Sequence, residues 1–123
     1  MVAQSLFQKY GGFAAISRVV LTFYDKALDS EQIGGFFDEI DMNRLVDHQT
    51  KFISSLLGGP ASYANERLKQ IHSRLEISHQ DMDEMAKLLT ESLDEHGFEP
   101  ADRDAVILEV DSLRSFIVNQ GGE

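Results

Sequence analysis

Apolar residues recur along this chain at helical spacing, in stretches separated by glycine pairs and two prolines, and the pattern predicts an all-helical protein. Ser5 to Tyr10 forms a short first segment that Gly11-Gly12 interrupts. The longer helix that follows places Ile16, Val19, Val20, Phe23 and Ala27 on one face. Ser30 is expected to cap a short helix ending near Phe37, and Asp41 to cap the next one. That helix carries the inward stripe Leu45, Gln49, Phe52, Ile53 and Leu56, which contains one polar residue.

Gly58-Gly59-Pro60 ends this helix, and the polar stretch to Glu66 reads as a loop. A short helix from about Glu66 to Arg74 then gathers Leu68, Ile71, His72 and Leu75 on neighbouring positions. Ser78 with Asp81 resembles a capping box opening a helix whose Met82, Met85, Leu89 and Leu93 face inward until Gly97 stops it. Pro100 suits the first turn of a last helix with the buried stripe Val106, Val110, Leu113 and Ile117. No internal repeat, low-complexity segment or linker interrupts the pattern, so residues 1–123 are expected to form one domain.

Composition narrows the chemistry. A chain of 123 residues is long enough for a real hydrophobic core and too short for two. It contains no cysteine, so any metal must be held by histidine or carboxylate. A formal net charge of −10 repels phosphate backbones and argues against nucleic-acid binding. No apolar run reaches the ~20 residues that span a bilayer, so no membrane insertion is expected. Met1 to Ser5 shows no basic segment followed by an apolar one, and a cytoplasmic protein without a targeting peptide is expected.

Among the four histidines, His72 stands out because it projects from an otherwise apolar helical face. A lone histidine in such a place is more often a hydrogen-bonded core residue than a ligand; its company raises the second reading. A neutral imidazole on an apolar surface is what a single axial haem bond needs. A facing wall is available, since Leu45 and Gln49 lie four apart on one helix with His48 beside them, and Tyr24 belongs to an apolar helix. The tyrosine hydroxyl and the glutamine amide are both hydrogen-bond donors. His79 and His96 sit at helix ends among polar neighbours and are read as surface residues. No serine triad, phosphate loop or paired carboxylate motif competes. Asp81, Asp83 and Glu84 follow a helix start and are most simply charges that favour its dipole.

The residues in order are Leu6-Phe7-Gln8-Lys9-Tyr10-Gly11-Gly12, Phe23-Tyr24, Phe36-Phe37, Asp41-Met42, His48-Gln49, Phe52, Gly58-Gly59-Pro60 and Leu68-Lys69-Gln70-Ile71-His72. In this order and spacing the chain resembles the group I truncated hemoglobins from about Ser5 to about Val118. The resemblance implies an all-α, two-on-two helical sandwich holding haem b (iron protoporphyrin IX), with His72 as proximal iron ligand. It implies that Phe37 stacks on the porphyrin and that Tyr24, Leu45, His48 and Gln49 form the distal side, with Tyr24 and Gln49 stabilising a diatomic ligand. Phe52 and Ile53 would line the apolar end of the pocket, plain core being the equal alternative. Leu68, Ile71, Ile77 and Met82 would contact the macrocycle, and Lys51, Arg67 and Lys69 are the propionate candidates. Family members commonly carry Gly-Arg shortly after the aromatic matched by Tyr63, whereas this chain has Asn65-Glu66 with Arg67 one place later.

The function so implied is reversible binding of oxygen, nitric oxide and carbon monoxide by a monomer. Nitric oxide dioxygenation with a reductase partner is its enzymatic extension. Two alternatives stay open: a six-coordinate sensor or electron carrier using His48 as sixth ligand, and a haem-free helical interaction module.

Overall fold

The computed structural model describes residues 5–59 and 77–118. The expected helix over Glu66 to Arg74 lies outside them, with Arg67, Leu68, Lys69, Ile71 and His72. Helix α1, Leu6–Lys9, opens on a reciprocal cap in which Ser5 Oγ accepts from the Gln8 amide at 3.2 Å and Gln8 Oε1 accepts from the Ser5 amide at 3.4 Å. Gly11 and Gly12 follow at φ 108° and 74°, backbone that a side chain would strain, and turn the chain into α2, Gly12–Asp29. The predicted face of α2 is buried throughout, and Ala15 and Tyr24 join it.

Ser30 does not begin a helix. It closes α2, and its hydroxyl accepts from the Ile33 amide at 3.3 Å, heading a tight turn that leads into a 3₁₀ helix, Gly34–Phe37. The end at Phe37 is as expected. Gly34 is required by its surroundings: a Cβ there would sit 2.8 Å from the Leu28 carbonyl oxygen.

Asp41 caps α3, Met42–Leu56, as predicted, accepting from the Arg44 amide at 3.3 Å. The deepest face of α3 shares only Ile53 with the predicted stripe. Thr50, Ile53, Ser54 and Leu57 are buried, while Leu45, Gln49, Phe52 and Leu56 are half-buried beside them. Thr50 can go inside because its hydroxyl bonds back to the Val46 carbonyl at 2.7 Å, which lowers the cost of burial without any change in the residue's polar label.

Helix α4, His79–Glu95, starts on the predicted capping box: Ser78 Oγ accepts from the Asp81 amide at 3.1 Å and Asp81 Oδ2 from the Ser78 amide at 3.0 Å. Met82, Leu89 and Leu93 are buried, Met85 is half-buried, and Gly97 at φ 81° turns the chain away. Pro100 opens α5, Pro100–Asp111, burying Val106 and Val110. The expected single last helix is in fact two, because the chain breaks after Asp111 and resumes as α6, Arg114–Ile117, leaving Leu113 and Ile117 half-buried. Arg114 bonds Asp83 on α4 at 2.6 Å and Asp111 at 2.7 Å, holding the broken end against the bundle.

Helices α2 and α3 form one packed pair and α4 and α5 the other, and α2 also packs on α4. One apolar cluster runs through all four, from Ile16 and Val19 to Leu93 and Val106. At the start of the chain, Lys9 bonds Asp102 at 2.7 Å and Tyr10 stacks on Phe98 with ring centroids 3.8 Å apart, tying α1 to the entry of α5. Removing the α4 cap should cost about 1 kcal/mol, so Ser78→Ala is expected to lower the unfolding free energy from urea titration by that amount, with a lower midpoint at unchanged slope, while Ser78→Gly loses only a few tenths. Equal midpoints for Ser78→Ala and the parent chain would show that the cap contributes nothing.

Candidate functional site

The site is built around Tyr24, which α2 carries on its buried face at 6% exposure. Two rings meet it edge-on: Phe23 from the same helix, with centroids 4.9 Å apart and planes at 71°, and Phe37 from the 3₁₀ helix, at 5.5 Å and 82°. Such T-shaped contacts place a positive ring edge against a negative face. Burial alone drives the phenol's pKa well above the ordinary tyrosine range. The group therefore stays protonated through neutral pH and remains a donor.

No described residue hydrogen-bonds the Tyr24 hydroxyl. Tyr24 thus sits in an apolar wall with a donor that no described residue engages. On α3, Leu45, Gln49 and Phe52 are half-buried, and Leu45 and Phe52 pack on the cluster that holds Tyr24. Phe37, Leu45 and Phe52 pack on the same cluster that holds Tyr24 and Met82, the latter 2% exposed. Ile77, just before α4, is buried. Tyr24 and Gln49 do not bond each other.

His48 lies on the exposed face of α3. Lys51, also exposed, pairs with Asp47 at 3.1 Å, the ordinary behaviour of a surface lysine four residues on. The remaining predicted contacts, with His72 itself, fall outside the described residues. Two residues had not been singled out for the site: Phe23 as the second ring against Tyr24, and Gly34, whose missing Cβ admits the turn that carries Phe37. The doublet Phe23-Tyr24 and the run Gly34-Gly35-Phe36-Phe37 were visible in the sequence, but nothing in them says which ring meets which.

The Bacterial-like globin family model matches residues 5–119. The chain belongs to that family. Within it, the group 1 truncated hemoglobin of Tetrahymena pyriformis is 33% identical over 86% of this chain and 84% of its own. The group 1 truncated hemoglobin GlbN of Mycolicibacterium paratuberculosis is 41% identical over a shorter match, 55% of this chain and 50% of that protein. The crystal structure of the 2/2 hemoglobin of a Synechococcus species, in the cyanomet state and with covalently attached heme, superposes with a TM-score of 0.88 at 28% identity, covering 95% of this chain and all of that one. This globin is therefore a group 1 truncated hemoglobin with the all-α truncated globin fold.

Globins hold haem through a proximal histidine and bind diatomic gases on the opposite face. The described part of this globin fits such a group. A flat apolar macrocycle needs apolar walls, and Phe37, Leu45, Phe52 and Met82 are apolar side chains of one cluster; a polar diatomic ligand needs a donor, and Tyr24 carries one that no described residue engages.

Proposed function

We propose that this globin binds haem b with His72 as its axial ligand and reversibly binds oxygen, nitric oxide and carbon monoxide on the side of Tyr24 and Gln49. The observation that carries the reading is Tyr24, a protonated phenol in an apolar wall whose hydroxyl bonds no described residue. When bound, haem supplies the iron at which a diatomic ligand coordinates. The chain supplies the rest. Tyr24 donates a hydrogen bond to the ligand, Gln49 adds a second donor from α3, and Leu45 and Phe52 keep water from competing. Phe37 stacks on the macrocycle and Met82 fills the irregular space beneath it. Leu68, Ile71 and Ile77 complete the apolar contacts, and Arg67, Lys69 and Lys51 stand as the propionate partners.

Two strong donors favour tight oxygen binding, which suits dioxygenation of nitric oxide better than oxygen transport. A reductase would then return the iron to the ferrous state. The chain acts as a single-domain cytoplasmic monomer in this reading. Purified protein should show a Soret band and about one haem per chain. A colourless protein that takes up no added haem would return the chain to the haem-free interaction module.

His48 decides the coordination state. Its exposed place on α3 supports a ferrous form without external ligand that is mainly five-coordinate, because ligation would require the helix to approach and the imidazole to lose its solvation. His48→Ala should remove only a minor low-spin fraction from the ferrous spectrum. A fully low-spin ferrous protein that becomes high-spin in His48→Ala would overturn this and favour a sensor or electron carrier.

A further inference from the structure

We infer that Phe37 is a positioning residue for Tyr24, its T-shaped ring contact setting the direction of the phenol, and that Gly34 is what lets it reach. The inference rests on the distal role proposed for Tyr24. A hydrogen bond weakens steeply with misalignment, so a donor is effective only if its direction is held. Among the described residues no hydrogen bond holds the Tyr24 hydroxyl, and the contacts that hold its ring are those of Phe23 and Phe37. Phe23 cannot do it alone, because it is Tyr24's neighbour on α2 and moves with it. Phe37 comes from a different element and meets the Tyr24 ring at 5.5 Å and 82°.

That element is held from both sides. Its entry turn is closed by the Gly34 amide donating to the Ser30 carbonyl at 2.8 Å, and the Ser30 hydroxyl donates to Glu84 on α4 at 2.8 Å. Gln32 donates to Asp81, also on α4, at 3.1 Å. Against α2 the turn lies so close that a Cβ on Gly34 would come within 2.8 Å of the Leu28 oxygen and 3.3 Å of the Ala27 oxygen. Ala27 and Leu28 are one helical turn beyond Tyr24. The 3₁₀ helix is therefore laid on the stretch of α2 that carries the phenol, and any side chain at Gly34 would lift Phe37 away from it.

Phe37 is also the expected stacking residue for haem, so the test must separate packing from positioning. A double-mutant cycle does so: the haem-loaded full chain, Phe37→Leu, Tyr24→Phe and the double variant are compared for oxygen dissociation rate and for the carbon monoxide stretching band. Phe37→Leu should speed oxygen release about threefold and shift or broaden the band, as expected for the loss of one edge-to-face contact. In the Tyr24→Phe background the same change should have a clearly smaller effect on both, that of the haem contact alone. Gly34→Ala, which keeps the ring and moves its element, should reproduce both effects, and it replaces Phe37→Leu in the cycle if that variant fails to hold haem. Equal acceleration in both backgrounds would overturn the inference, since Phe37 would then act through the haem alone. If Tyr24→Phe itself leaves oxygen release unchanged, the distal role of Tyr24 falls, and the positioning role with it.

Discussion

Tyr24→Phe is expected to release oxygen about tenfold faster than the parent protein, the effect of losing about 1.4 kcal/mol of hydrogen bonding, and to do so mainly in the dissociation rate. The substitution removes one oxygen atom and leaves the ring that packs between Phe23 and Phe37, so the change reads the hydroxyl and not the fold. Carbon monoxide is the weaker acceptor, and its release should change much less. Because burial holds the phenol protonated well above its ordinary range, the parent rate should owe no pH dependence to Tyr24 between about pH 6 and 9. Stopped-flow release in the two proteins decides the matter; equal rates would remove Tyr24 from the distal side.

His72→Gly should have the larger effect. An axial histidine carries the iron bond itself, and its loss should lower haem affinity by at least about a hundredfold, beyond what removal of a partner outside the coordination shell costs. The ferrous spectrum should lose its five-coordinate histidine character. If His72→Gly keeps both spectrum and haem affinity while His48→Ala loses both, the proximal and distal sides have been exchanged.

Some features of the candidate site among the described residues were legible as residue types. Tyr24 was legible as a donor in an apolar helix because its neighbours Val20, Phe23 and Ala27 repeat at helical spacing. That its hydroxyl would find no described partner was not, because a lone donor is defined by what the other helices bring near it. Gln49 was read as the polar member of an inward stripe, and it is half-buried on α3, next in sequence to the buried Thr50. The stripe was displaced because Thr50 and Ser54 count as polar in any periodicity, while in the helix the Thr50 hydroxyl satisfies itself on the Val46 carbonyl.

By itself the sequence determined most of the helices among the described residues and where most of those begin. Ser5, Asp41 and Ser78 cap because their side-chain oxygens reach backbone amides three residues on, Gly11 and Gly97 turn because they lack a Cβ, and Pro100 opens a helix because it needs no amide donor there. These are interactions between residues a few places apart, and they require nothing distant. Only the tertiary structure decided which face of α3 goes deepest, that the chain breaks after Asp111, and that Phe37 meets Tyr24. Each of those depends on a surface supplied by another helix, so its energy is absent from any local window: the Leu28 carbonyl that excludes a side chain at Gly34, and the Asp83 carboxylate that receives Arg114, become neighbours only when the helices pack.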